Sequence, residues 1–291
     1  MANDVELMCA YWTSAGPVEV HFGREWSLYS LDERCAQAAG AGYIGVGLWH
    51  ADLTHMLDGG QSFDGMKKVL DDHGLICGEL EFIADFFLNP GEEGRKASDD
   101  TRRLLFDAAA ALDAHHIKVG NIPGTPCEIP QITERYGELC EDAASQTDAQ
   151  ILYEFMPFDV NVDSIEKAMQ VVQGAGARNG GVVIDTWHMA KLDIKPDDLR
   201  QIPLEYLSWI ELSDGQYEYM EDRLDEVINR RKLPGEGEFD IRGYIAAASD
   251  HGYAGPWGVE VLSEDLRALP IEEMYRSSYE AAASQFQAVT A

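Results

Sequence analysis

Short apolar runs alternate with longer helix-like patterns along most of the chain. Apolar runs of strand length lie at 5–11, 43–49, 75–83, 116–121, 151–155, 181–185, 206–212 and 257–262. Apolar residues at helical spacing predict helices at 31–42, 61–73, 101–114, 130–147, 163–176, 196–201, 240–251 and 270–288, with a polar stretch over 213–238. The pattern therefore predicts eight strand–helix units.

The order of these units predicts the fold class. Strands that alternate with helices pair in parallel through right-handed crossovers. Eight such units in 291 residues indicate a closed α/β barrel, a (β/α)8 TIM barrel, rather than an open sheet. The first strand ends in YWTSAG, which lacks the GxGxxG order of a dinucleotide site, and no phosphate-binding P-loop motif is found. Because no Pro/Ser-rich linker interrupts the pattern, we expect one domain over residues 1–291.

Charge narrows the range of partners. The chain has 52 Asp and Glu residues against 22 Lys and Arg residues, and its formal net charge is −30. Phosphate contacts need Lys and Arg, so this balance argues against a nucleic-acid partner. Acids spread along the chain are typical of a solvated surface that keeps a protein soluble. With only 8 lysines, a salt-rich habitat is a second interpretation, because salt would screen the self-repulsion.

Other features indicate the compartment. No apolar run is long enough to span a membrane, and the acidic N-terminus MANDVELMCAYW lacks the basic start of a signal peptide. The five cysteines form no CxxC pair, which is typical of free thiols in a reducing compartment. We therefore expect a cytoplasmic protein without a membrane partner, and the sequence leaves a homo-oligomer open.

Acidic residues end four consecutive predicted strands. They are Glu154 in LYEF, Asp185 in VVIDTWH, Glu211 in WIELSD and Glu260 in GVEV. Chemistry in such barrels lies at the carboxyl ends of the strands, so we expect these carboxylates to converge. Unpaired buried carboxylates repel one another, and a divalent cation with a preference for hard oxygen ligands would relieve the repulsion. Solvated surface acids are the alternative, which fits one such residue more easily than four.

Several other polar residues are candidates for contact with a substrate. His188 follows Asp185 by three positions and could contact substrate or transfer a proton. His50 closes the second strand and could line the mouth of the barrel. Lys118 lies inside an apolar strand, where it could offset carboxylate charge or hold a substrate oxygen, or extend outward between helices. Glu79 and Glu81 share one strand face, so Glu81 could reach the substrate or face solvent.

One basic segment stands out in this acidic chain. In NRRKLPGEG, residues 229–237, Arg231 could bind a substrate hydroxyl or carboxylate, or simply balance nearby acids. Trp12, Trp49 and Trp187 end or follow strands, so they could line a pocket or pack in the core.

These residues together resemble the sugar phosphate isomerase/epimerase group of the xylose isomerase-like TIM barrel superfamily. The motifs are Glu154, DTWH at 185–188, ELSDG at 211–215, RKLPGEGEFD at 231–240, GYAGP at 252–256 and VEV at 259–261. The resemblance implies one divalent metal ion held by Glu154, Asp185, Glu211 and Glu260, with Glu154 and Glu260 as the proton-transfer pair. It also implies that His188 lies near substrate oxygens and that a loop closing over the substrate supplies Arg231.

One position departs from that pattern. Residue 211 is Glu where the family commonly has His, so we expect Mn²⁺ or Mg²⁺ rather than Co²⁺ or Zn²⁺, and whether Glu211 binds the metal stays open. The resemblance implies proton removal next to a carbonyl of a small keto sugar or polyol, in an isomerase or epimerase. A dehydratase or lyase on a keto-cyclitol, a dehydroshikimate-like acid or a 3-keto-glycoside uses the same residues. A non-catalytic sugar-binding barrel is a further alternative.

Overall fold

The eight strands close into a parallel barrel in chain order, as predicted. The computed structural model describes residues 5–21 and 23–287. The strands are β1 (Leu7–Cys9), β2 (Gly45–Trp49), β3 (Ile76–Ala84), β4 (His116–Gly120), β5 (Gln150–Glu154), β6 (Gly180–Asp185), β7 (Leu207–Leu212) and β8 (Trp257–Val259). β1 pairs with both β2 and β8, which closes the sheet.

Helices surround the barrel and bury their apolar faces against it. They are α1 (Tyr11–Ser14), α2 (Leu31–Ala41), α3 (His50–Asp58), α4 (Phe63–Asp72), α5 (Arg95–Leu112), α6 (Ile129–Ala144), α7 (Ile165–Ala175), α8 (Thr186–Lys191), α9 (Arg223–Asn229), α10 (Ile241–His251), α11 (Glu264–Arg267) and α12 (Ile271–Phe286), with a 3-10 helix at Pro196–Gln201. Among the described residues, no helix combines the length and apolarity needed to cross a bilayer. The five cysteines are free, and Cys127 alone among them is not buried.

The largest differences from the sequence expectation lie just after the strands. The predicted strand 5–11 is shorter, because α1 starts at Tyr11. α3 and α8 begin directly after β2 and β6, where the apolar pattern gave no separate helix. α9 occupies part of the stretch predicted as an irregular polar segment, and its cap explains this: the Asp222 side chain accepts a hydrogen bond from the Asp225 amide.

Side chains alternate along each strand between the barrel interior and the layer under the helices. In β7, Trp209 and Glu211 point inward, whereas Ile210 and Leu212 pack in the outer core. Every second residue of a strand therefore points into the barrel, and these inward residues form two layers along the barrel axis. The lower layer, which is farther from the carboxyl ends of the strands, contains a cluster of apolar side chains.

That lower layer, here called the apolar plug, consists of Met8, Leu152, Val183 and Trp209. Leu152, Val183 and Trp209 each lie two residues before a carboxylate on the same strand, so the plug lies one layer below the acids. A side chain at Gly78 would require Met8 to move, since its Cβ would lie 1.9 Å from the Cε of Met8. The plug therefore fills the lower barrel and leaves the acids at the upper end.

Candidate active site

A cavity of about 530 Å³ opens at the carboxyl ends of the strands. Polar side chains at its inner end include Glu81, Glu154, His188, Arg231 and Glu260. Most of its remaining wall is apolar and aromatic. The cavity therefore lies where the barrel topology predicts a site, directly above the acidic layer.

Four buried carboxylates meet at the inner end of this cavity. One oxygen each of Glu154, Asp185, Glu211 and Glu260 lies within 4.8 Å of one oxygen of each other member. No member is more than 4% exposed. Asp185 and Glu211 are register partners across β6 and β7. The structure thus brings together the four acids singled out in the sequence, while their role as metal ligands stays a prediction.

Lys118 lies inside the barrel against the same acids. Its Nζ donates hydrogen bonds to Glu211 Oε1 and Oε2 at 3.1 and 3.2 Å and to Glu260 Oε1 at 2.7 Å. It also lies 3.2 Å from Glu81 Oε2 and 3.6 Å from Glu79 Oε2. Burial acts to lower the pKa of Lys118, but the surrounding carboxylates raise it well above its usual range. Lys118 is therefore a fixed buried cation.

The sequence left open whether Lys118 offsets carboxylate charge, holds a substrate oxygen or extends outward between helices, and its position bears on this choice. Its side chain is fully buried and is not part of the cavity lining among the described residues. The geometry favours the charge-offsetting role, and contact with a substrate oxygen stays a prediction. Glu79 and Glu81 face the same cation, which places both of them inside the barrel rather than in solvent.

Glu211 has partners on both sides within the protein. Besides Lys118, the indole of Trp209 donates a hydrogen bond from Nε1 to Glu211 Oε1 at 3.2 Å. Burial raises the pKa of Glu211 well above its usual range, and the charge of Lys118 opposes this effect. The pKa of Glu81 is raised for the same reason, again against the charge of Lys118. Burial at these positions therefore favours either the protonated form of the carboxyl groups or the presence of further positive charge beside them.

Arg231 reaches the carboxylates from the loop after β7. Its Nη1 donates hydrogen bonds to Asp185 Oδ2 at 2.6 Å and to Glu260 Oε2 at 3.2 Å. Its guanidinium carbon lies 5.0 Å from the centre of a Trp187 ring, which is within cation–π range. The side chain is buried and also lines the cavity. The predicted placement of Arg231 in the site is therefore seen, although its contact with a substrate stays a prediction.

The loop that carries Arg231 is held by one buried aspartate. Asp214 accepts hydrogen bonds from the backbone amides of Gly235, Gly237 and Phe239 at 2.9 to 3.0 Å. Asp214 and Lys232 also form an antiparallel bridge. A Cβ at Gly237 would lie 2.2 Å from Asp214 Oδ1, so this close approach requires glycine. We call residues 231–239 with Asp214 the Asp214 clasp.

His188 lies between two of the acids. Its Nε2 is 3.3 Å from Glu154 Oε1 and 3.5 Å from Asp185 Oδ2. Its Nδ1 is buried and has no hydrogen-bond partner among the described residues. The Phe158 ring lies edge-on at a centroid distance of 5.8 Å. His188 therefore belongs to the site, at the boundary between the acids and the apolar wall.

The remaining predicted residues also line the cavity. His50, Glu81 and Trp187 all contribute to its surface. Burial lowers the pKa of His50, so this imidazole is held in its neutral form. These positions agree with the expected locations, and no substrate contact is established for them.

Sequence reasoning missed three residues that organise the site. Trp209 lies within the apolar run 206–212, and His116 begins the run 116–121 at the amino-terminal end of its strand, so the strand pattern singles out neither residue. His116 does lie at the start of β4, yet its Nε2 approaches Glu79 Oε2 at 3.8 Å beneath the site. Trp209 lies two residues before Glu211, and this spacing indicates that both side chains point into the barrel. Asp214 lay within the ELSDG motif, and its partners Gly235 and Gly237 lie in the PGEG motif.

Comparison of the chain with known protein families and solved structures agrees with the barrel fold. The family model described as "Xylose isomerase-like TIM barrel" matches residues 35–285. The chain belongs to this family. The IOLI protein, solved with a bound zinc atom, superimposes with a TM-score of 0.82 at 17% identity, covering 97% of this chain and 98% of that one.

Two curated relatives are a dehydratase and an isomerase. A 3-dehydroshikimate dehydratase of Pseudomonas aeruginosa is 28% identical over 248 residues, which are 83% of this chain and 37% of the relative. An inosose isomerase of Bacillus velezensis is 21% identical over 211 residues, 67% of this chain and 70% of the relative. The chain thus spans just over a third of the length of the dehydratase.

Proposed function

We propose that the protein is a divalent-metal-dependent isomerase or epimerase that acts on a small keto sugar or polyol. The reaction would move a proton next to a carbonyl group. The observation that carries the proposal is the meeting of four buried carboxylates within 4.8 Å at the inner end of a cavity. Family membership and the enzymatic relatives support it.

The charge balance of the interior supports a bound cation. Two cationic side chains, Lys118 and Arg231, face six buried acidic side chains, namely Glu79, Glu81, Glu154, Asp185, Glu211 and Glu260. An excess of buried negative charge is costly unless it is paired or protonated. A divalent ion would offset part of that excess, so the residues present fit the metal that the family implies.

The donor set also indicates which ion would fit. Glu154, Asp185 and Glu260 offer oxygen atoms, and Glu211 would be a fourth ligand if its contacts with Lys118 allow it. Hard oxygen ligands suit Mn²⁺ or Mg²⁺ better than Zn²⁺. When bound, such an ion would supply Lewis acidity for a substrate carbonyl oxygen.

The chain's own residues would bind and orient the substrate and transfer the proton. Glu154 and Glu260 line the cavity and are the proposed proton-transfer pair. His188 contacts Glu154 and is placed to hold a substrate hydroxyl or to carry a proton. Arg231 would hold a substrate oxygen beside Glu260. The apolar wall would keep water from the reacting carbon.

A dehydratase is the second candidate, and a specific finding favours it. Two curated relatives that match 83% and 84% of this chain are 3-dehydroshikimate dehydratases. Proton removal by the same residues, followed by loss of a hydroxyl group on the neighbouring carbon, would give an unsaturated product. The two candidates share every proposed site residue and differ in whether a hydroxyl leaves.

One experiment tests both candidates. The purified protein is analysed for metal, loaded with Mn²⁺, and incubated with keto sugars, keto-cyclitols and dehydroshikimate in deuterated water. Deuterium in recovered substrate or in an isomer supports the isomerase or epimerase, whereas a conjugated product that absorbs ultraviolet light supports the dehydratase. Full activity after complete chelation, or no exchange with any of these compounds, would count against the proposal.

A further inference from the structure

The cavity has two chemically different parts. The acids, His188 and Arg231 lie at its inner end, as described above. The outer wall carries large apolar side chains from strands, helices and loops, including Trp12, Trp49, Phe82, Phe158, Tyr219 and Leu224. A small sugar held at the inner end presents hydroxyl groups, whereas the rest of the lining combines these apolar side chains with the polar side chains of His21, Glu25, His50 and Arg223. Shielding of the reacting carbon from water accounts for apolar side chains near the acids, but it gives no role to the aromatic rings farther from them.

Aromatic rings are concentrated on this wall. Trp12 and Trp49 pack with their ring centroids 4.7 Å apart, and both line the cavity. The Trp49 Nε1 group donates its hydrogen bond to Glu25 Oε2 at 3.1 Å, so its polar atom is already paired. Phe158 contributes another ring next to His188. Aromatic faces bind planar apolar groups well through offset or edge-on contact.

One large apolar residue is exposed to solvent at the cavity. Seven large hydrophobic residues are exposed in the described part of the chain, and of these only Leu224 belongs to the cavity lining. Leu224 is 43% exposed and lines the cavity. An aromatic ring bound against Leu224 would remove this side chain from contact with water.

The size of the cavity agrees with a larger ligand. Its volume of about 530 Å³ is within the range of roughly 300–1,000 Å³ found for sites that hold drug-sized ligands. A six-carbon sugar alone would leave much of the apolar wall in contact with water. A ligand with an added ring would occupy both parts together.

We propose that the outer wall is a binding subsite for an aromatic ring attached to the sugar-like ring, so that the substrate class is an aryl keto-glycoside or a similar ring-substituted keto sugar. This inference rests on the proposed function for the position of the sugar-like ring. The aromatic ring would lie among Trp12, Trp49, Phe158 and Leu224, and the polyol would extend to the acids and Arg231.

Binding of inert probes tests the subsite without any need for turnover. Affinities of the Mn²⁺-loaded protein for phenyl β-D-glucopyranoside, methyl β-D-glucopyranoside and phenol are measured by calorimetry. Burying most of an aromatic ring predicts binding of the phenyl glucoside roughly tenfold to a hundredfold tighter than the methyl glucoside. Equal affinity for the two glucosides would overturn the proposal. Phenol that binds as tightly as phenyl glucoside would also overturn it, because the two parts would then not be occupied together.

A matched pair of variants locates the effect. Leu224→Asn is expected to reduce the preference for phenyl over methyl glucoside several-fold. Leu204→Asn is the control, because Leu204 is 45% exposed but lies away from the cavity. An equal loss of preference in both variants, or no loss in Leu224→Asn, would contradict the proposed subsite.

The outcomes separate this inference from the proposed function. A preference for phenyl glucoside in a protein without exchange activity supports the subsite and counts against the proposed reaction. Turnover of simple keto sugars with no preference for the phenyl probe supports the reaction and overturns the subsite.

Discussion

The two layers of the barrel interior are built from the same strands but have opposite chemistry. In the apolar plug, Met8, Leu152 and Val183 need only volume and shape to pack, and the polar atom of Trp209 is paired with Glu211 in the layer above. Two residues further along the strands, the interior is filled with acids around Lys118. Two residues along each strand therefore separate a layer that contributes packing to the stability of the barrel from a layer of charged groups. In the charged layer, each group needs an ion-pair or hydrogen-bond partner.

The largest effect is expected from removing one acid of the upper layer. Glu260→Gln should lower turnover by roughly 10²–10⁴-fold and weaken metal binding, because Glu260 is a proposed proton donor or acceptor and metal ligand. Turnover and metal content of the purified variant are the measurements. Glu272→Gln, at the exposed start of α12, is the control. Unchanged activity in Glu260→Gln would show that the upper layer is not catalytic.

Removal of the buried cation should cost stability. Lys118→Met leaves Glu211 and Glu260 without their shared partner, and an uncompensated buried charge costs about 3–5 kcal/mol. The free energy of unfolding is measured in urea. Adding Glu211→Gln should recover part of this loss, since it removes one of the unpaired charges.

The lower layer provides the comparison for that experiment. Leu152→Ala should cost about 2–5 kcal/mol through a cavity, with no recovery when Glu211→Gln is added. If Glu211→Gln changes the free energy of unfolding of both variants equally, Lys118 and Glu211 are not energetically coupled. The two layers then do not differ in their dependence on charge pairing.

The Asp214 clasp should have a smaller effect. Asp214→Asn keeps the size of the side chain but weakens its hydrogen bonds to the Gly235, Gly237 and Phe239 amides. Displacement of Arg231 should then lower kcat/KM about tenfold while metal content is retained. Steady-state kinetics with metal analysis measures this. Simultaneous loss of metal would instead assign Asp214 a role in the acidic layer.

Salt should have the smallest effect. With a formal net charge of −30, screening should raise the unfolding temperature by a few degrees as salt increases, because self-repulsion falls. Thermal unfolding at several concentrations of potassium chloride measures this. A flat or falling curve would remove the interpretation of the acidic surface as an adaptation to salt.

The sequence predicted the barrel and the acidic residues for one physical reason. Strand periodicity and the rule that chemistry lies at carboxyl ends both depend on local pattern, so Glu154 and Asp185 could be placed without coordinates. The orientation of Lys118 could not be decided, because an inward lysine and an outward one give the same pattern. The structure resolves this through contacts with Glu211 in β7 and with Glu260 directly after β8, both distant in sequence.

The loops were the least predictable part. α9 lies in a stretch whose composition is polar, and on its inner side Ile228 is buried and Glu226 is buried in an ion pair with Lys191. The contacts of Asp214 with Gly235 and Gly237 join segments about twenty residues apart, and no periodicity reveals them. Side-chain partners across loops depend on tertiary packing, which pattern analysis does not describe.

The Asp214 clasp also determines when the ordering of Arg231 takes place. Because hydrogen bonds to Asp214 already fix the backbone around Arg231 in the free protein, the loss of loop entropy accompanies folding and does not recur at each encounter with substrate. A ligand arriving at the cavity would meet a guanidinium already aimed at Asp185 and Glu260. Association should therefore approach the rate set by diffusion and by the field of the acidic surface, rather than by rearrangement of this loop.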